Sequence, residues 1–295
     1  MAGDPSDWIT IRSTGLTATI NPLGAQLSEL RDAADRNLQW QGDPAVWAGR
    51  APILFPIIGM LVGGQYRTGG RTFALSRHGF ARGLRFALAD AGPRSATFRL
   101  CADAQTRAVY PFEFELDVNF TVEEASLAVT SWIRNRGESD LPASLGYHPA
   151  FAWPLPYGEA RAAHFIEFED DEPAGVRRLD GNGLLLPQRF PTPVANRRLA
   201  LRDDLFSADA LILDRIVSRS VSYGSEVGPR IAVSFPGVPY LGIWSKPGAN
   251  FICIEPWQGV TDPQGFNGEL KDKPGSLTIP PGEARAVGMT ITLLP

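Results

Sequence analysis

Alternation of apolar and polar residues is the feature of this sequence that most constrains its fold. The longest example runs from Phe112 to Val122, where every second residue is apolar and the residues between are polar. A period of two residues is typical of a β-strand that buries one face and exposes the other. The pattern recurs at residues 231–235 and 287–293. Shorter strands are predicted at Trp8–Arg12, Leu16–Ile20, Ala96–Ala102, Leu127–Ile133, His164–Glu169, Ala210–Leu213, Tyr240–Trp244 and Phe251–Ile254.

Helix signals are few, and they do not alternate with strands as they do in parallel α/β proteins. The best candidates for short helices are Pro44–Gly49 and Ala104–Val109. The 30 glycines and 25 prolines of this 295-residue chain supply frequent turns, and no fixed-period repeat suggests a propeller. We therefore predict an all-β fold, a large antiparallel β-sandwich with few short helices, which residues 1–295 form as a single domain.

Charge, hydropathy and cysteine content argue against several classes of protein. The formal net charge of −4 does not favour a nucleic-acid-binding surface. The longest apolar stretch, Ala51–Gly64, is too short and too interrupted by proline to span a bilayer, and the N-terminus lacks the apolar core of a signal peptide. Cys101 and Cys253 are expected to be buried free thiols rather than zinc ligands or a disulfide. We expect a cytoplasmic monomer or homodimer with no nucleic-acid or membrane partner.

Histidine is scarce, which limits the candidates for acid–base chemistry near neutral pH. Of the three histidines, His164 begins a predicted strand with no special neighbours and is interpreted as structural. His78 lies in Arg-His-Gly-Phe-Ala-Arg, where Gly79 gives the backbone freedom and Arg82 adds a positive charge. This motif fits either a functional histidine or a turn with an exposed one. Arg50, beside a proline-punctuated apolar run, fits either a site residue or a surface arginine.

Two further polar residues stand directly before proline at the ends of predicted strands. A residue before proline is held in an extended conformation, so His148 and Glu255 are both expected at strand ends. His148 is either an acid or base or a core histidine bonded to a carbonyl. Glu255 follows three apolar residues, which favours function over a carboxylate that points to water. Trp257, two residues on, offers a ring face that suits the apolar face of a sugar.

Other motifs with known chemistry are absent from the sequence. It contains no glycine-rich phosphate loop, no His-x-x-x-His pair and no Gly-x-Ser-x-Gly nucleophile motif. We therefore expect neither a bound metal nor an organic cofactor. Asp209 precedes a predicted strand and Asp214 follows it, and either is a candidate for a binding acid or for a turn residue.

Taken together and in order, these motifs resemble the aldose 1-epimerase (galactose mutarotase-like) family, most closely its bacterial branch with His-Gly-Phe-Ala-Arg and Glu-Pro-Trp motifs. The resemblance covers nearly the whole chain. The segments that carry it are Gly24–Leu27, Trp40–Pro44, Pro52–Pro56, His78–Arg82, Tyr110–Phe112, Gly146–Phe151, Asp209–Ile212, Tyr240–Trp244 and Glu255–Gly259. It implies the galactose mutarotase-like supersandwich fold, and it implies interconversion of the α and β anomers of an aldose.

The resemblance also implies roles for individual residues. His148 matches the general acid that protonates the ring oxygen, and Glu255 matches the general base that takes the proton of the C1 hydroxyl. The resemblance implies a second histidine, His78, that helps to hold the sugar. It further implies sugar contacts from Arg50 and from Asp209, with Asp214 as the other possible alignment. A histidine and a glutamate can perform this reaction without a metal or cofactor.

The substrate class stays open at this point. Related branches act on neutral hexoses, on hexose 6-phosphates and on sulfoquinovose, and paired guanidinium donors bind phosphate or sulfonate well. Arg50, Arg77 and Arg82 are candidates for such a clamp, although Arg82 can instead pair with a carboxylate. A non-catalytic sugar-binding protein is the alternative from another class. A glycosidase is less favoured because it needs two facing carboxylates.

Overall fold

The computed structural model describes residues 5–295, and within this range the chain forms 22 strands, one α-helix and six 3₁₀ helices. The α-helix is α1 (Ala104–Val109), and the 3₁₀ helices are Pro5–Asp7, Val62–Gly64, Ala81–Gly83, Arg161–Ala163, Asp203–Phe206 and Leu270–Asp272. The strands are β1 (Ile9–Arg12), β2 (Leu16–Asn21), β3 (Gln26–Asp32), β4 (Ile53–Leu54), β5 (Gln65–Thr68), β6 (Arg71–Ala74), β7 (Ala87–Ala91), β8 (Ser95–Cys101), β9 (Phe114–Glu123), β10 (Ser126–Asn135), β11 (Leu141–Ala143), β12 (Leu145–Tyr147), β13 (Ala150–Ala152), β14 (Phe165–Phe168), β15 (Arg198–Ala200), β16 (Leu211–Leu213), β17 (Ser220–Gly224), β18 (Arg230–Ser234), β19 (Tyr240–Trp244), β20 (Phe251–Gln258), β21 (Leu277–Ile279) and β22 (Ala284–Leu294).

Two large sheets dominate the fold. One contains nine strands in the order β15-β14-β17-β18-β22-β10-β9-β8-β7, and the other contains β16-β19-β20-β12-β4 with β13 also paired to β20. Smaller sheets join β1, β2 and β3, β5 and β6, and β11 and β21. The paired strands of both large sheets run antiparallel. The predicted all-β antiparallel fold is therefore confirmed.

The two large sheets share a hydrophobic core. The alternation along β9 places Phe114, Leu116 and Phe120 in this core, together with Ile252 and Ile254 of β20 in the other sheet. Tyr147 of β12 also crosses between the sheets, and its hydroxyl donates to the carbonyl of Val287 at 2.7 Å. The even-numbered residues of β20 thus face the core, so its odd-numbered residues project from the opposite face of the six-stranded sheet.

Local signals explain both the success and the failure of the helix predictions. The helix predicted at Ala104–Val109 is confirmed as α1, where Asp103 caps the first turn and accepts from the backbone N–H of Thr106 at 2.7 Å. The helix predicted at Pro44–Gly49 is wrong. Asp43 accepts backbone hydrogen bonds from Val46 and Trp47, and the chain makes this single turn and leaves it.

One cysteine prediction is also wrong. Cys253 is a buried free thiol, as expected, but Cys101 is exposed. Cys101 is the last residue of β8, whose buried face carries Ala96, Phe98 and Leu100. Its side chain therefore lies on the face of β8 that points away from the core. None of the helices within residues 5–295 has the length and apolar character needed to cross a bilayer.

Strand β20 differs from its prediction in length. It does not end at Glu255 but continues through Pro256 to Gln258. On one side Pro256 pairs with Leu241 of β19. On the other side β20 faces the interruption between β12 and β13. The backbone N–H that proline lacks is therefore not needed there for a hydrogen bond between strands. Glu255 therefore lies inside a central strand, with all of its neighbours on that strand up to Trp257 buried.

Candidate active site

A pocket of about 300 Å³ opens on the face of the six-stranded sheet that points away from the main core. This volume is at the lower end of the range for small-molecule sites, roughly 300–1,000 Å³. Its walls are largely apolar and include three tryptophan side chains. The polar side chains that line it are Arg77, His78, Arg82, His148, Asp209, Glu255 and Thr261.

His148 and Glu255 meet at this pocket. His148 is the first residue after β12, in the two-residue interruption before β13, one residue beyond the strand end at which the sequence predicts it. Glu255 lies opposite this interruption in β20, and Nε2 of His148 is 3.2 Å from Oε2 of Glu255. The side chains expose only 10% and 1% of their surfaces. The fold thus brings two residues that are distant in sequence together as one buried imidazole–carboxylate pair.

Burial favours the uncharged form of both groups. Desolvation lowers the pKa of His148 to about 3, and the nearby charges of Arg77 and Arg82 act in the same direction. Desolvation raises the pKa of Glu255 well above its usual range, while Arg77 partly opposes this rise. Both shifts favour a neutral imidazole beside a protonated carboxyl, so the pair carries one titratable proton. A site that must both give and take a proton needs this protonation state.

Tryptophan side chains fix the imidazole of His148. The ring of Trp47 lies 5.1 Å from it at an interplanar angle of 31°, and the ring of Trp244 lies 5.8 Å away at 80°. Trp257 lines the same pocket, two residues from Glu255 along β20. Gly242, which pairs with Glu255, leaves room for this indole, because a Cβ on Gly242 would lie 2.5 Å from the Trp257 ring.

His78 is held as a neutral hydrogen-bond donor. Its Nδ1 accepts the backbone N–H of Gly59 at 3.1 Å, so the ring proton is on Nε2. Burial lowers the pKa of His78 well below its usual range, which keeps the ring neutral. The backbone of His78 has a φ of +68°, and Gly79 follows it with a φ of +72°. Gly79 packs so closely on Phe55 that a Cβ would lie 2.2 Å from the Phe55 carbonyl oxygen.

A charged pair lies at the mouth of the pocket. Nη2 of Arg77 is 3.7 Å from Oδ2 of Asp209, and both side chains are partly exposed. Arg82 donates from Nη2 to the carbonyl oxygen of Arg77 at 2.8 Å. Asp209 has a φ of +63° and accepts the backbone N–H of Ala210 at 2.7 Å. These contacts direct a carboxylate and two guanidinium groups towards the same opening.

A buried ion pair holds the loop that contacts His78. Nζ of Lys273 lies 2.6 Å from Oδ1 of Asp262, and both side chains are almost completely buried. Oδ2 of Asp262 accepts the backbone N–H of Val62 at 2.9 Å, and Oγ1 of Thr261 accepts that of Met60, also at 2.9 Å. The loop from Gly59 to Val62 is therefore fixed on both sides. This positions the N–H of Gly59, which donates to Nδ1 of His78 and so leaves the ring proton on Nε2.

Six of the seven predicted site residues line the same pocket, namely His78, Arg82, His148, Asp209, Glu255 and Trp257. Arg50 does not. Its Nη1 donates to the Ser28 carbonyl at 2.7 Å and its guanidinium lies over the Trp8 ring, so the side chain lines a neighbouring cavity instead. Arg50 therefore lies outside the pocket, and its contact with a sugar stays a prediction.

Asp214, which the sequence left open, and His164, which it interpreted as structural, have partners outside the pocket. Asp214 pairs with Arg177 and Arg189, at 3.2 and 2.6 Å, whereas Asp209 faces the pocket. His164 accepts from Leu155 N–H through Nε2, and its Nδ1 lies 3.0 Å from the carbonyl oxygen of Ala160. Both of its ring nitrogens are thus occupied, which agrees with a structural role.

The sequence interpretation missed two aromatic walls of the pocket, Trp47 and Trp244. Trp244 had a usable signal in the two-residue period of its strand. It lies on the same face of β19 as Gly242, and it is opposite Cys253 of β20. Trp47 had none, since it directly follows a single turn, in which Asp43 accepts from Val46 and Trp47, and lies in no periodic pattern.

An antiparallel two-sheet fold with a buried imidazole–carboxylate pair in a tryptophan-walled pocket provides a candidate acid–base site for a small polar molecule. A family model described as aldose 1-epimerase matches residues 7–273, and the chain belongs to this family of isomerases. Protein LacX, chromosomal, of Lactococcus lactis subsp. lactis is 34% identical over 296 residues, which cover 97% of this chain and 99% of that protein.

Solved structures agree with this assignment. A galactose mutarotase related enzyme from Lactobacillus acidophilus superposes with a TM-score of 0.91 and 31% identity, covering 98% of this chain and 97% of that one. A galactose mutarotase-like protein from Lactobacillus casei has a TM-score of 0.87 and 30% identity, with 97% and 99% covered. The predicted galactose mutarotase-like fold and isomerase class are therefore confirmed.

Proposed function

We propose that this protein interconverts the α and β anomers of an aldohexose, with His148 and Glu255 as the acid–base pair. The observation that carries the proposal is the 3.2 Å separation between Nε2 of His148 and Oε2 of Glu255 at the pocket. Opening a sugar ring requires a proton at the ring oxygen and removal of a proton from the C1 hydroxyl. Closing the ring requires the reverse, so one shared proton serves both directions.

The chemistry follows from the protonation state of the pair. With the pocket empty, burial favours a neutral imidazole and a protonated carboxyl. Transfer of the shared proton from Glu255 to His148 creates an imidazolium and a carboxylate without any exchange with solvent. His148 then protonates the ring oxygen while Glu255 takes the proton of the C1 hydroxyl, and the ring opens to an aldehyde. Rotation about the C1–C2 bond and closure on the other face give the other anomer.

Other pocket residues suit the binding of a sugar. His78 presents an Nε2–H donor to a hydroxyl or to the ring oxygen, because its Nδ1 is already engaged by Gly59. Asp209 offers a carboxylate that accepts hydrogen bonds from hydroxyl groups, and Arg82 offers donors. The Trp257 ring provides an apolar surface for the C–H face of the sugar. None of these roles requires a metal or an organic cofactor.

An anionic aldose, such as a hexose 6-phosphate or sulfoquinovose, is the second candidate substrate. A neighbouring cavity of about 770 Å³ shares Arg82 with the pocket and is also lined by Arg50. The side chains that line this cavity include two arginines and no carboxylate. An anionic substituent on a sugar bound in the pocket would be stabilised there, since guanidinium groups pair well with phosphate and sulfonate.

Anomer-exchange NMR of the purified protein with glucose, galactose, glucose 6-phosphate and sulfoquinovose tests the function and the substrate class together. We expect exchange well above the spontaneous rate for at least one of these sugars. Preference for glucose 6-phosphate or sulfoquinovose would favour the anionic candidate. Saturable binding of a sugar without faster exchange would instead identify a non-catalytic sugar-binding protein and contradict the proposal.

The setting of this activity is part of the same proposal. Cys101 and Cys253 are both unpaired, which fits a reducing compartment, and we place the protein in the cytoplasm. We further propose that it works as a monomer or homodimer with a small sugar as its partner.

A further inference from the structure

Cys253 is a buried thiol for which the proposed reaction has no use. It lies two residues before Glu255 on β20, so both side chains project from the same face of the strand. Around it are Ala150 and Phe251, with Trp47 and Trp244 packed against this cluster. The thiol therefore sits directly beside the catalytic pair, beneath the tryptophan walls of the pocket.

The thiol, the imidazole and the carboxylate form a compact set of donors. One donor atom each from His148, Cys253 and Glu255 lies within 4.8 Å of the other two. Donor atoms around a tetrahedral zinc ion are about 3.5 Å apart, given bond lengths of roughly 2.0–2.3 Å. Side-chain movement of about 1 Å therefore brings the three donors into range of one ion.

The chemistry of this set favours a thiophilic metal. Three protein ligands drawn from histidine, cysteine and carboxylate, with a fourth position open to the pocket, form a zinc site of the open type. A thiolate and a carboxylate balance the charge of a divalent ion, which favours it in a buried place. Mg²⁺ and Ca²⁺ require several oxygen ligands, which this set does not supply.

We propose that His148, Cys253 and Glu255 form an inhibitory site for a thiophilic divalent ion such as Zn²⁺. The ion replaces the proton that the pair shares, and it also displaces the thiol proton of Cys253. Two protons pass to solvent, bonds to nitrogen, sulfur and oxygen form, and no group is oxidised or reduced. The inhibition rests on the proposed epimerase function, whereas the binding of the metal does not.

Cobalt provides a probe that reports the ligands directly. Co²⁺ bound through a thiolate gives a sulfur-to-metal charge-transfer absorption and, in tetrahedral geometry, visible d–d bands. We expect both in the wild-type protein and in Cys101→Ala, which removes the exposed thiol. Both should be absent in Cys253→Ala, and added Zn²⁺ should bleach them in the wild type. If wild-type absorption lacks the charge-transfer band, the proposal is overturned.

Anomer-exchange rates measured with and without Zn²⁺ give the second readout. The wild type and Cys101→Ala should be inhibited and should recover when a chelator is added. Cys253→Ala should keep its basal rate and need at least about tenfold more Zn²⁺ for the same inhibition, because a lost ligand costs at least as much affinity as a lost outer-shell partner. Equal inhibition of Cys253→Ala would contradict the site. If no sugar is epimerised at all but the cobalt spectrum is as expected, the proposed function fails while the metal site stands.

Discussion

Nε2 of His148 lies 3.2 Å from Oε2 of Glu255, because the chain is interrupted between β12 and β13 directly opposite the middle of β20. The interruption places His148 opposite Glu255, while its backbone still contacts β20, because the carbonyl oxygen of Pro149 accepts the N–H of Ile254 at 3.3 Å. Burial lowers the pKa of His148 and raises that of Glu255, so it favours the uncharged form of both groups. One interruption of the sheet thus brings together the acid and the base of the proposed reaction.

Arg77 is predicted to set the pH range of activity. Its positive charge lowers the pKa of Glu255 and also that of His148. Replacing it by Gln removes this charge, so both pKa values rise and the range in which the pair holds one proton moves to higher pH. The alkaline decline of kcat should therefore occur at higher pH in Arg77→Gln than in the wild type.

A pH–rate profile from anomer-exchange NMR measures this shift. Arg85→Gln is the matched control, because Arg85 pairs with Asp7 at 2.9 Å and does not line the pocket. An alkaline limb that stays in place in Arg77→Gln, or that moves to lower pH, would show that Arg77 does not act on the pair through its charge.

Gly79 is predicted to be essential for the conformation that presents His78. A Cβ at this position would lie 2.2 Å from the carbonyl oxygen of Phe55, in addition to the cost of a φ of +72°. Gly79→Ala should lower the free energy of unfolding by about 3 kcal/mol or more. Gly70→Ala shares the positive φ, +73°, but meets no atom within 4 Å, and it should cost only about 1 kcal/mol.

Urea denaturation of the two variants separates backbone strain from the steric contact. Equal losses for Gly79→Ala and Gly70→Ala would mean that the close approach to Phe55 carries no energetic weight. The surviving folded fraction of Gly79→Ala should also show weaker sugar binding, since His78 is displaced from Gly59.

The buried pair of Lys273 and Asp262 is predicted to stabilise the fold only as a pair. Replacing Lys273 by Met leaves a desolvated carboxylate without its counter-ion, which should cost about 3–5 kcal/mol. Adding Asp262→Asn removes that unpaired charge, so the double variant should be more stable than Lys273→Met. Lys271→Met, which affects an exposed lysine 3.8 Å from Glu269, should change stability by less than about 0.5 kcal/mol.

Unfolding free energies of the three variants test this coupling. If Lys273→Met is as mild as Lys271→Met, the buried pair does not hold the loop from Gly59 to Val62 as described. A double variant that is less stable than Lys273→Met would also contradict the expected recovery.

The sequence predicted the sheets well because their signal is local. The alternation from Phe112 to Val122 reflects the one buried face of β9. The cap of α1 by Asp103 depends only on residues within one helical turn. The sequence predicted a strand end at Glu255, whereas β20 continues past Pro256, because its partner strands β12 and β19 come from distant parts of the chain. The direction of the Arg50 side chain depends on Ser28 and Trp8, which no spacing along the chain reveals.

The most direct test of the account is the exchange rate of Glu255→Gln, measured by anomer-exchange NMR beside His148→Asn. Each substitution keeps the shape of the side chain but removes its proton-transfer role, so each should reduce the catalysed rate by about 10²–10⁴-fold or to the spontaneous rate. Far-ultraviolet circular dichroism and thermal unfolding should confirm that both variants are folded. Exchange at the wild-type rate in either folded variant would contradict the assignment of His148 and Glu255 as the acid–base pair.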